Sequence, residues 1–183
     1  GEWAGQTFEL APWQQFIFWC LFGWKRADGY RRFRTAYIEV PRKQGKSTMA
    51  AGTGLYLLVG DGEPGAEVYS AATKRDQAKI VHAEATRMVK ASPSLGRMVR
   101  VYKDNLNIPE TASKYEPLGA DEDTLDGLNV HGAIVDELHA HKTRGVVEVL
   151  ESGREFRVDG GDQASDQGVS GGVAVVASRS TPA

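Results

Sequence analysis

The nine residues at 40–48, Val-Pro-Arg-Lys-Gln-Gly-Lys-Ser-Thr, constrain the fold of this chain more than any other feature. They lie between a predicted strand at 35–40 and a predicted helix at 47–58. Gly45 lets the backbone approach an anion closely, and the first amides of the following helix point toward the same anion. This strand–loop–helix pattern predicts a phosphate-binding loop.

The side chains of the loop have the chemistry that a nucleoside triphosphate requires. Lys46 can reach the β- and γ-phosphates, the Ser47 hydroxyl can ligate Mg²⁺, and Arg42 can stabilise charge on the γ-phosphate. Val40 stands where the common G-x-x-x-x-G-K-[ST] pattern has its first glycine, and a basic loop capping an ordinary helix is the alternative. The residues predicted to contact the nucleotide here are Pro41, Arg42, Lys43, Gln44, Gly45, Lys46, Ser47 and Thr48.

A second candidate element is the apolar run at 132–135, which leads directly into Asp136 and Glu137. A carboxylate at the end of a neighbouring strand can hold Mg²⁺, and an adjacent carboxylate can orient the attacking water. We therefore predict that Asp136 is a metal ligand and Glu137 the catalytic base. A strand ending in a polar turn is the alternative.

Gln14, in the sequence Pro12-Trp13-Gln14, is a candidate for adenine recognition. Its side-chain amide offers a donor and an acceptor side by side, which match N7 and the N6 amino group of adenine. The alternative is an amphipathic helix with exposed amides.

Strands alternate with helices along the chain, which indicates a parallel sheet covered by helices. The predicted fold class is α/β: a P-loop NTPase with a central, mostly parallel sheet flanked by helices. The other predicted strands lie at 66–72, 98–103, 113–118, 133–135 and 173–177, and the other predicted helices at 12–22, from 73 to about 91, and at 146–150.

Composition excludes several classes of protein. The single cysteine among 183 residues rules out an internal disulfide framework and a multi-cysteine zinc site. The longest apolar run, at 16–24, is too short to cross a membrane, so we expect no membrane partner and a cytoplasmic location. The net charge of −2 conceals a basic front and an acidic back: residues 1–50 carry 8 Lys/Arg and 4 Asp/Glu, and residues 104–166 carry 5 and 15.

Four segments together resemble the ATPase domain of the large terminase subunit of tailed bacteriophages. They are the glutamine segment at 12–14, the phosphate loop at 40–47, the second-strand segment at 68–78 and the acidic segment at 125–140. The resemblance covers residues 8–152.

The resemblance implies ATP hydrolysis coupled to movement of double-stranded DNA into a procapsid, with ATP and Mg²⁺ as cofactors. The implied partners are a portal protein, a small terminase subunit and further copies of this chain in a homo-oligomeric ring. By resemblance, Gln14 contacts adenine, Arg42, Lys46 and Ser47 contact the phosphates and Mg²⁺, Asp136 binds Mg²⁺, and Glu137 acts on water. A neighbouring subunit can also supply an arginine in trans, for which Arg87, Arg97 and Arg100 are candidates.

We expect one ATPase domain over residues 1–183, with an adenine-side segment (1–34), a P-loop core (35–151) and a Gly-rich tail (152–183) ending in a last strand. The tail departs from the family pattern and is either a divergent loop or a damaged reading frame. The acidic sites of the family's C-terminal nuclease cannot be placed, so we expect a fragment without nuclease activity. The rival functions are a DExH-type helicase, suggested by Asp-Glu-Leu-His at 136–139, and a nucleotide- or DNA-binding module without turnover.

Overall fold

The computed structural model describes residues 9–41, 43–72, 75–119, 129–136 and 172–177, the last of these as backbone only. Four α-helices lie in this part of the chain: α1 (Pro12–Phe18), α2 (Lys46–Leu55), α3 (Arg75–Ala91) and α4 (Pro93–Met98). The strands are β1 (Thr35–Glu39), β2 (Glu67–Ala72), β3 (Arg100–Val101), β4 (Leu106–Ile108), β5 (Ser113–Gly119), β6 (Val130–Asp136) and β7 (Gly172–Ala177).

The strands form one sheet in the order β1-β7-β6-β2-β5-β4-β3. β2 pairs parallel with both β5 and β6, whereas β7 is antiparallel to β1 and β6, and β4 is antiparallel to β3 and β5. Among the described strands, β1, β2, β3, β5 and β6 therefore run in one direction, and β4 and β7 run in the other. The sheet is mixed, and it is mostly parallel in the sense that five of its seven strands point the same way, which confirms the predicted fold class.

Of the helices that cover the sheet, α3 buries one face and α2 buries six of its ten residues. α3 packs against α2, β2 and β5, and α2 packs against β2 and β6. Every residue of β6 is buried, as expected for a central strand of a parallel sheet covered by helices. The end of β6, where Asp136 lies, is thus held between the rest of the sheet and α2.

Two helices end differently from the sequence-based expectation. The helix predicted at 12–22 is α-helical only to Phe18 and continues as a π-helical turn over Trp19–Gly23. The helix predicted at 47–58 begins one residue earlier and changes to a π-helical turn over Tyr56–Gly60. The rings of Phe22 and Tyr56 pack 4.3 Å apart, so the two π-helical turns lie against each other.

The strand predicted at 98–103 is confirmed only over Arg100–Val101, and a helix takes the place of its first residue. α3 ends at Ala91, and the Ser92 hydroxyl accepts a hydrogen bond from the Leu95 amide and caps a new helix, α4, which extends to Met98. Only Arg100–Val101 remains as strand, and it pairs with β4, which the sequence analysis missed because β4 has only three residues. The predicted helix at 146–150 lies outside the described residues.

Candidate nucleotide-binding site

The phosphate loop connects β1 to α2, as its sequence predicts. Gly45 is the N-cap of α2 and has φ 74°, a left-handed conformation that glycine adopts without a steric penalty. Its carbonyl accepts the first helical hydrogen bond, from the Met49 amide at 2.9 Å. Lys43 also has a positive φ, 66°, so the loop turns sharply immediately before the helix.

The central feature of the site is an ion pair between the loop and the end of β6. The Lys46 Nζ lies 2.9 Å from Asp136 Oδ1. Lys46 belongs to the first turn of α2 and Asp136 is the last residue of β6, so the pair joins two elements far apart in the sequence. The Lys46 side chain is 20% exposed and that of Asp136 12%, so solvent can still reach the pair. The structure thus brings together the lysine and the aspartate that the sequence analysis selected independently.

Gln14 also lies beside the loop. Its side chain is buried, and its Nε2 is 3.5 Å from the position that a Cβ on Gly45 would occupy. Its Oε1 accepts a hydrogen bond from the Ala11 amide at 2.9 Å, which satisfies a free donor at the start of α1. The Gln14 amide is therefore shielded from open solvent. The alternative of an amphipathic helix with exposed amides would require the opposite.

The remaining predicted residues divide into two groups. Pro41, Lys43 and Gln44 are exposed on the loop, and Ser47 and Thr48 are half-buried in the first turn of α2. Arg42 and Glu137 lie outside the described residues.

A second polar cluster, which was not predicted from the sequence, joins the N-terminal segment, the residue after the π-helical turn at 56–60, and β6. Asp61 follows the π-helical turn after α2, and its Oδ2 contacts both the Arg31 guanidinium and, at 2.7 Å, the Nε2 of His131 on β6. All three side chains are almost fully buried. This cluster ties the N-terminal segment and the residue that follows the π-helical turn to the end of β6 opposite Asp136.

Comparison with known proteins adds an independent line of argument. The family model for the ATPase domain of the terminase large subunit matches residues 12–162. The chain belongs to the terminase large-subunit ATPase-domain family. The match includes the phosphate loop, Asp136 and the segment around Gln14.

Relatives agree with this assignment. The terminase large subunit of Enterobacteria phage HK97 is 30% identical over 141 residues, which are 75% of this chain and 27% of that protein. The crystal structure of the HK97 large terminase superposes with a TM-score of 0.65 at 24% identity, covering 83% of this chain and 32% of that one. The chain thus spans about a quarter of the length of its curated relative. In the described residues, no helix of this terminase domain is long and apolar enough to cross a membrane.

Proposed function

We propose that this terminase domain is a Mg²⁺-dependent ATPase that drives double-stranded DNA into a procapsid. The observation that supports the proposal most strongly is the contact between Lys46 and Asp136 at the mouth of the phosphate loop. It brings a cation suited to phosphate oxygens and a carboxylate suited to Mg²⁺ to one place, in a chain of the terminase ATPase family.

The residues present fit a magnesium nucleotide. Gly45 in its left-handed conformation leaves the start of α2 open to an anion, and the Ser47 hydroxyl and Asp136 carboxylate are oxygen donors of the kind that Mg²⁺ prefers. When bound, Mg²⁺ neutralises charge on the phosphate oxygens. With the nucleotide bound, Lys46 would contact the β- and γ-phosphates in place of Asp136, and the Asp136 carboxylate would hold the metal.

Three further residues complete the proposed site. Gln14, beside Gly45, positions the adenine end of the nucleotide. Arg42, in the loop, neutralises charge on the γ-phosphate, and Glu137, next to Asp136 in the sequence, orients the water for in-line attack. Pro41, Lys43, Gln44 and Thr48 shape the loop around the phosphates.

The family context supplies the proposed partners. The work of hydrolysis is applied to double-stranded DNA by a ring of identical chains seated on a portal protein, with a small terminase subunit assisting. The proposed setting is the cytoplasm of the bacterial host.

The test is ATP turnover by the purified chain, with Mg²⁺ and with EDTA, in the wild type and in Lys46→Ala and Glu137→Ala. A matched control is Lys79→Ala, because Lys79 also pairs with an aspartate, Asp104, at 3.7 Å but on the surface. We expect turnover only with Mg²⁺, its loss in both site variants, and wild-type turnover in the control. Unchanged turnover in both site variants would refute the assignment.

Binding of a fluorescent ATP analogue covers the case in which the isolated chain does not turn over. Losing a charge-assisted hydrogen bond costs about 1.5–3 kcal/mol, so Lys46→Ala should bind the analogue about 10–100-fold more weakly. A wild-type chain that does not bind the analogue contradicts the proposal.

A further inference from the structure

We infer that a basic groove at the edge of the sheet farthest from the phosphate loop holds the phosphodiester backbone of double-stranded DNA, an inference that rests on the proposed function. The groove measures about 530 Å³ and lies where the end of α3, α4 and β3 meet. Its lining includes the small residues Ser92, Pro93 and Gly96, and its cations are Lys90, Arg97 and Arg100. We call it the α4 groove.

The charge of this region is opposite to that of the whole chain. Residues 85–103 contain five Lys or Arg and no Asp or Glu, although the chain has a net charge of −2. Lys90, Arg97 and Arg100 are all exposed and come from three successive elements, so they converge on one surface rather than follow one helix face. Such a concentration of one sign of charge attracts a polyanion.

The cations of the α4 groove also differ from other basic side chains in their pairing. In the described part of the chain, Arg26, Lys79, Arg87 and Lys114 each lie within 4 Å of a carboxylate. Within those same ranges, no carboxylate pairs with Lys90, Arg97 or Arg100, and the groove is lined by no acidic residue. An external anion therefore does not have to compete with an internal one.

The lining favours a duplex backbone over a single strand. Single-stranded nucleic acids are held by aromatic side chains on which the bases stack, and the lining of the α4 groove contains no aromatic residue. Its small residues instead leave room for a sugar–phosphate chain between the cations. Contacts of this kind carry no sequence information, which suits a motor that must move any sequence.

The position of the groove allows DNA and nucleotide to be bound together. β3 and β1 are the two edge strands of the sheet, with five strands between them. The phosphate loop follows β1, and the α4 groove adjoins β3. DNA in the groove thus does not obstruct the site at Lys46.

The experiment is fluorescence anisotropy of a labelled DNA duplex over a series of salt concentrations. The variant is Lys90→Gln/Arg97→Gln/Arg100→Gln, and the matched control, Lys25→Gln/Arg26→Gln/Arg32→Gln, removes the same charge from exposed residues of the N-terminal segment. Each phosphate contact contributes about 0.9 to the slope of log K against log salt. We expect the magnitude of this slope to decrease by about 2–3 in the groove variant and by about 1 in Arg97→Gln alone, and to change little in the control.

The remaining outcomes separate this inference from the proposed function. Unchanged thermal unfolding and ATP-analogue binding in the groove variant show that the fold and nucleotide site are intact. Any of three results overturns the inference: a wild-type salt slope in the groove variant, an equal decrease of the slope in the control, or a wild-type chain that does not bind the duplex. If ATP is still hydrolysed in these cases, the proposed ATPase function stands. Loss of turnover with an unchanged DNA slope also overturns it, and assigns these arginines to a neighbouring subunit's nucleotide instead.

Discussion

The two interior glycines of α2 should respond to alanine in opposite ways. A Cβ on Gly52 would meet no atom within 4 Å, so Gly52→Ala should gain the helix-propensity difference, about 0.5–1 kcal/mol. A Cβ on Gly54 would lie 2.8 Å from Cζ of Tyr115 and 2.9 Å from its Cε1 and hydroxyl. Tyr115 is fully buried on β5, and the His82 ring packs edge-on against it at 5.4 Å, so its ring cannot move aside.

The difference between the two variants isolates the overpacking, because the propensity gain is common to both. Overpacking a well-filled core costs about 1–3 kcal/mol, so Gly54→Ala should be less stable than Gly52→Ala by that amount. Urea unfolding measures this difference in the free energy of unfolding directly. In thermal unfolding, each kcal/mol should shift the Tm by about 2–4 °C in a chain of this size. Equal stabilisation by both substitutions would refute the close contact between α2 and β5.

Two further predictions concern buried ionisable groups. Asp61→Asn should lower the free energy of unfolding by about 3–5 kcal/mol because it removes a buried negative charge that contacts Arg31 and His131. Asp104→Asn, at the exposed pair with Lys79, should cost about 1 kcal/mol or less in the same urea titration, and similar costs would contradict the burial of the cluster. Burial lowers the pKa of His82 below its ordinary value of 6.5. Below pH 6.5 the unfolded chain therefore binds more protons than the folded chain, and the free energy of unfolding should fall as the pH drops through 6.5. His82→Leu should weaken this dependence when thermal unfolding is followed from about pH 8 to pH 5, and an unchanged profile would be inconsistent with a neutral, buried imidazole.

The parts of the candidate site that depend on a local sequence pattern could be predicted from the sequence alone. Gly45 and Lys46 sit at a strand-to-helix turn, and Asp136 ends an apolar strand, so the type of element and its end could be recognised from neighbouring residues. The rule that ligands bind at the carboxyl ends of parallel strands then brings Lys46 and Asp136 together. Their 2.9 Å contact agrees with that expectation.

Long-range pairing could not be predicted in the same way. Arg31, Asp61 and His131 are separated by 30 and 70 residues, and no local pattern links them. The insertion of β7 antiparallel between β1 and β6 likewise depends on pairing across the whole chain. A further error was local: no helix was expected between 91 and 98, although proline, here Pro93, is favoured in the first turn of a helix.

The most direct test of the Lys46–Asp136 site is the effect of Mg²⁺ on ATP affinity, measured by titration calorimetry in the wild type and in Asp136→Asn. Without Mg²⁺, the variant should bind ATP at least as tightly as the wild type, because Lys46 is freed from its carboxylate partner. With Mg²⁺, the wild type should gain affinity and the variant should gain about tenfold less, as expected when a charged ligand to the metal complex is lost. An equal gain with Mg²⁺ in both proteins would contradict the placement of the metal at Asp136.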